Sequence, residues 1–151
     1  MSHNNLNHRE KKWIFLDPNK GRAMGLLNRM VEEGWRKTAK STVKMARKAY
    51  EQAEYAGVNP VLSVREKLFP NINKVNEWEI PSAMKELMNS VAGMCIAYAV
   101  SFVSSYRKGD RAFVAKAVYT ELLLWDSRIA DEEEVERALQ ILSIGVYAKP
   151  F

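Results

Sequence analysis

Across residues 18–56, apolar and small side chains return in steps of three and four. Met24, Leu27, Val31, Trp35, Thr38, Thr42, Met45/Ala46, Ala49 and Ala53 carry the pattern. Residues so spaced share one face of a helix, and no strand reads this way. Asp17 can accept from the free N–H groups of a first turn, and Pro18 suits the first helical position. Gly57 supplies a stop. The spacing predicts one long helix, a rod of roughly 58 Å at 1.5 Å per residue. Gly21, Gly25 and Gly34 each cost about 1 kcal/mol inside a helix, so two helices broken at Gly34 is the alternative.

The stretch from Trp35 to Tyr50 gives this helix a second character. Arg36, Lys37, Lys40, Lys44, Arg47 and Lys48 fall within about a 120° arc, with no acidic residue between Glu33 and Glu51. Arg22 and Arg29 extend the same face towards the N-terminus, although Glu33 interrupts it. Trp35, Thr38, Thr42, Met45, Ala46 and Ala49 fall opposite. A chain needing only solubility would alternate its charges, because six like charges repel one another. Lys40, Lys44 and Lys48 stand about 6 Å apart along the axis, a pitch comparable with that of neighbouring phosphates. Arg36 and Arg47 can hold a phosphate through two donors, while lysines act as point charges. The plain alternative is a solvated face.

The charge balance concentrates the question on this half. Residues 1–80 hold 15 Lys/Arg against 9 Asp/Glu, residues 81–151 hold 8 against 9, and the net charge is +5. The partner this implies is a polyanion, an acidic protein surface or an anionic membrane. A length of 151 residues with 47% hydrophobic content implies one packed domain. We read residues 1–16 as an N-terminal arm, pinned by Trp13-Ile14-Phe15-Leu16, and residues 17–151 as a single helical domain. The lone Cys95 permits no intrachain disulfide, and MSHNNLNHREKKW lacks a signal-peptide core. Both fit an intracellular, cytoplasmic protein.

The rest of the chain also reads as helix. Asn59-Pro60 starts a short segment stopped by Pro70, and NINKVNEWEI reads as a loop or helical turn. Pro81-Ser82 opens a helix expected to run to Tyr106. It contains twenty uncharged residues, 87–106, about a membrane span in length, but Asn89, Ser90, Ser101, Ser104 and Ser105 favour a soluble core helix. Gly93, Ala97, Ser101 and Ser105 form a stripe of small residues on it. Lys108-Gly109-Asp110 reads as a tight turn with Asp110 capping a helix from Arg111 to about Ile129, antiparallel to its predecessor. That helix is apolar on most sides, through Phe113, Val114, Val118, Leu122, Leu124 and Trp125. Asp131 and Glu134 have the spacing of a capping box before a last helix that buries Val135, Leu139, Leu142 and Val146. The fold class expected is all-α, a bundle of about five helices with a long amphipathic basic helix.

Catalytic chemistry finds no support. His3 and His8 lie on a polar arm without Cys or carboxylate company, so no metal or other cofactor is expected. HExxH, P-loop and GxSxG patterns are missing. Asp126 and Arg128, two apart on a helix, would not share a face, and Glu121 reads as a polar position on an apolar stretch. The acidic run Asp131–Glu136 suits a helix N-terminus through the macrodipole. Its alternative is head-to-tail docking on the basic face of another copy. Without glycine-rich RNA-binding, zinc-finger or helix-turn-helix patterns, the basic face implies backbone-directed, sequence-tolerant nucleic-acid binding, RNA and DNA left open.

In outline the chain resembles the small helical, Cas11-type subunits of CRISPR effector complexes. The features that carry this are the basic helix around residues 36–48 and the helix pair flanking YRKGD at Tyr106–Asp110. The resemblance implies a compact non-enzymatic subunit placed beside guide RNA and target strand. Its basic face would meet nucleic-acid backbone, and its acidic and apolar surfaces would meet neighbouring subunits or further copies. A protein-interaction adaptor whose basic face meets an acidic partner is the rival expectation, and a membrane partner is not expected.

Overall fold

The computed structural model describes residues 18–74, 82–103 and 109–143. Among these residues every regular element is helical and the fold class is all-α. The N-terminal arm, Asp17, Val146 and the Tyr106–Lys108 part of the YRKGD turn lie outside them. Among the described residues there are six α-helices where about five were expected: α1 Pro18–Ala56, α2 Pro60–Leu68, α3 Ser82–Leu87, α4 Val91–Val100, α5 Asp110–Trp125 and α6 Glu132–Ser143. A short 3-10 turn, Ile72–Lys74, follows α2.

α1 is continuous through Gly34 and ends at Gly57, whose φ of 72° is the left-handed value a helix stop requires. By its contacts the chain forms two compact units, Met1–Trp35 and Arg36–Phe151. The described part of the first is the opening of α1. Leu27, expected on the core side, is 59% exposed there, along with Leu26 and Met30.

Within the second unit α1 buries Ala39, Thr42, Val43, Ala46 and Ala53. Thr42, Ala46 and Ala53 are buried as expected, Ala39 and Val43 join them, and Trp35, Thr38, Met45 and Ala49 are only half-buried. Ala39, Ala46 and Ala53 recur every seven residues, and their small side chains admit close packing that bulky ones would hold apart. The Thr42 hydroxyl, fully buried, donates to the Thr38 carbonyl at 2.8 Å, so its burial leaves no orphaned donor.

α4 is the central helix of this unit. Nine of its ten residues are buried, and it packs against α2, α3, α5 and α6. The expected helix from Pro81 to Tyr106 is instead broken at residues 88–90, which separates α3 from α4. Ser90 has extended backbone and accepts from the Gly93 N–H at 2.9 Å, capping a fresh helix. The Met88 carbonyl, released by the break, accepts from Arg65 Nη2 of α2 at 2.8 Å. A Cβ on Gly93 would run into the Leu87 carbonyl, so the tight return after the break needs glycine. This break also shortens the apolar run: among the described residues no helix is long and apolar enough to cross a membrane.

Two of the three expected caps fall in place. Asn59 accepts from the N–H groups of Val61 and Leu62 at 3.0 and 3.3 Å and starts α2. Asp131 accepts from the Glu133 N–H at 2.9 Å and starts α6, which buries Val135, Ala138 and Ile141, with Leu139 half-buried. The third cap departs from expectation. Gly109, at φ 92°, precedes α5, and Asp110 is buried as its first residue rather than capping it. α5 ends at Trp125, four residues early, because Asp126 turns out of the helix into extended backbone. It buries Val114, Ala115, Val118 and Leu122, whereas Leu124 is 76% exposed.

Candidate nucleic-acid interface

The buried alanine seam of α1 fixes where its charges go. With Ala39, Ala46 and Ala53 turned inward, positions 36, 37, 40, 44, 47 and 48 are turned outward, and all six side chains are exposed. Arg29 is exposed in the unit Met1–Trp35. Arg22 belongs to α1, but its side chain lies outside the described residues.

The six exposed cations are not equivalent. The Arg36 guanidinium lies over the Phe113 ring, 5.2 Å from its centroid. Such a contact favours the cation while leaving its edge donors open to an anion. Arg47 donates from Nε to Glu51 at 3.3 Å, one turn along α1. The expectation that the basic run has no acidic partner therefore fails at Arg47, because Glu51 follows it at the helical spacing of four. Lys37, Lys40, Lys44 and Lys48 make no ion pair or hydrogen bond with any described residue. They form an uncompensated row, and a row of lysines discriminates charge rather than shape.

Two contacts fix what lies beside this row. Besides Arg36 on Phe113, Tyr50 meets Trp125 edge to face at 5.4 Å. Both contacts progress in the same sense along the two helices, so residues 36–50 of α1 run parallel to α5. Tyr50 is thereby occupied within the fold. Lys116, exposed one turn beyond Phe113, is a further cation on α5.

Elsewhere the described polar and titratable groups make local contacts. Cys95 is fully buried, and burial pushes its thiol up to about 12 from an ordinary 9.0. Asp126 and Arg128 do pair, at 3.0 Å, since α5 has ended and the helical-face argument no longer applies. The Arg128 side-chain hydrogen bonds, with its backbone N–H, hold the Asp126 carboxyl below its usual range. A cleft of about 360 Å³ lies between the α3–α4 break and the start of α6, lined by Glu86, Ser90, Asp131, Glu133, Glu134 and Arg137 among others. Arg137 closes on Glu86 at 2.6 Å across it. Among the described residues no cluster of His, Cys, Asp or Glu is arranged to hold a metal ion. No protein-family model, curated protein or solved structure matches this chain.

Proposed function

We propose that this chain is a non-enzymatic, all-helical subunit of a larger ribonucleoprotein or DNA-processing assembly. It contacts the phosphate backbone of nucleic acid through the basic face of α1. The observation that carries the reading is the row Lys37, Lys40, Lys44 and Lys48, exposed on a single helix with no described partner. Ammonium groups repeating along a helix offer phosphates an ordered set of counter-charges and release condensed ions on binding. Such contacts position a strand without reading bases. An effector complex of the CRISPR type is one assembly that this reading suits.

The salt dependence of binding tests it. Four lysine–phosphate contacts give a slope of log affinity against log salt of about −3 for single strands and −4 for duplex. Affinity then falls about 10²-fold between 50 and 200 mM salt, and a loss of 10³-fold or more would add Arg36 and Arg47 to the contacts. The variant Lys40→Glu/Lys44→Glu/Lys48→Glu, folded by circular dichroism, abolishes binding. Unchanged affinity in that variant refutes the proposal.

A protein-interaction role is the second reading, and one observation favours it. Leu26, Leu27 and Met30 are exposed together on α1, at 55, 59 and 67%. Apolar side chains gathered on one helix suit a protein neighbour. Under this reading alone, the protein purifies without nucleic acid; a partner held by that apolar patch survives the lysine variant, and an acidic partner on the basic face is lost with it.

A further inference from the structure

One aromatic side chain of α1 stands apart from the core. Tyr55 is 96% exposed, in the last turn of the helix. The other described α1 aromatics, Trp35 and Tyr50, are half-buried, and Tyr50 is held by Trp125. Burying a tyrosine ring is favourable and a ring left in water forgoes that gain. Its register shows where it points. At 100° per residue Tyr55 shares its angular position with Lys37, seven residues beyond Lys48 and eleven beyond Lys44. It therefore continues the lysine row, about 10 Å past its last member at 1.5 Å per residue. Glu51 sits between, but its carboxylate is taken by Arg47, which lowers its repulsion of a phosphate.

From this geometry we infer that the basic face takes single-stranded nucleic acid, with an unpaired base stacked on Tyr55 at the end of the lysine row. The inference rests on the proposed phosphate-binding reading and adds a residue and a strand preference to it. A row of cations following a backbone, with an aromatic ring for the bases, is the arrangement single strands require. A duplex keeps its bases stacked on one another and offers Tyr55 no open ring face. The same chemistry serves RNA and DNA, so the 2′-hydroxyl has no part in the inference.

The experiment compares four probes of equal length at one salt concentration: single-stranded RNA, single-stranded DNA, duplex DNA and an abasic deoxyribose-phosphate strand. Tyr55→Ala weakens binding to both single strands by about 5- to 100-fold, the range of one base–aromatic stack. It leaves the duplex and abasic affinities and all salt slopes unchanged. Tyr55→Phe keeps the full single-strand affinity, since the ring and not the hydroxyl stacks. If Tyr55→Ala leaves single-strand affinity unchanged, or weakens all four probes alike, the stacking inference is overturned while phosphate binding stands. If the unaltered protein binds none of the four probes, the proposed function falls and the inference with it.

Discussion

Arg47 and Glu51 face each other across one turn of α1, 3.3 Å apart and both about half exposed. Exposed pairs at this spacing contribute only about 0.3–0.5 kcal/mol to a helix. The larger consequence is electrostatic, because Glu51 places one negative charge inside a face otherwise built from cations. Glu51→Gln removes it and frees the Arg47 fork. Affinity for a single-stranded oligonucleotide rises by about two- to tenfold at 50 mM salt. The salt slope steepens by close to one phosphate contact. Fluorescence anisotropy titrations at several salt concentrations measure both, and an unchanged slope with unchanged affinity removes Arg47 from the interface.

Arg36 and Phe113 give a prediction of the opposite sign. The ring holds the guanidinium above α5, so truncation leaves Arg36 charged but unplaced. Phe113→Leu keeps an apolar side chain there and weakens nucleic-acid binding by about two- to fivefold, matching a cation–π contact of about 0.5–1 kcal/mol. Arg36→Lys produces a similar loss in binding. Thermal melting separates this positioning effect from loss of fold, since both variants retain more than nine-tenths of the native ellipticity.

How much of this was legible in the sequence depends on the kind of signal. The long helix, its stop at Gly57 and the Asn59 and Asp131 caps follow from local rules, and the structure keeps them. The seam was legible only in part: Thr42, Ala46 and Ala53 followed from the spacing, whereas Ala39 and Val43 did not, and Trp35 and Met45, which dominate a hydrophobicity pattern, are only half-buried. The α3–α4 break was hidden inside an apolar run, where only Ser90 and Gly93 signal a new start and neither stops a helix by itself. Gly93 is explained by its contact with the Leu87 carbonyl, a tertiary fact no period reveals. At the candidate interface the cations were legible from spacing alone. Their inequality was not, since Phe113 lies 77 positions from Arg36 in sequence.

Two glycines with opposite environments test the account of the fold. Gly93 is buried against the Leu87 carbonyl and the Ser90 hydroxyl, with no room for a Cβ. Gly93→Ala therefore destabilises by about 3 kcal/mol, through overpacking against backbone. Gly34, inside α1, has nothing within 4 Å of an added Cβ. Gly34→Ala stabilises the helix by up to about 1 kcal/mol. Urea denaturation followed by circular dichroism reads both, and the same sign for the two would contradict the assigned environments.

Cys95 supplies a pH test of the core. Its thiol is held neutral by burial up to about pH 12, whereas in the unfolded chain it ionises near 9.0. Above pH 9 the unfolded state gives up the proton that the native state retains. Fewer protons are then bound in the unfolded state, so stability falls as pH rises from about 9 towards 12. The slope from this group approaches 1.4 kcal/mol per pH unit. Tyrosines and lysines also titrate in that window, so the informative quantity is the difference between the protein and Cys95→Ala. Below pH 8 the variant is the less stable by about 1 kcal/mol for its lost volume. That deficit narrows or reverses by pH 10.5, because alanine has no proton to lose on unfolding. A constant difference across the range would mean that the thiol is not buried as found. Thiol labelling gives the independent reading: Cys95 reacts with a disulfide reagent only at the rate of chain opening, and at once in denaturant.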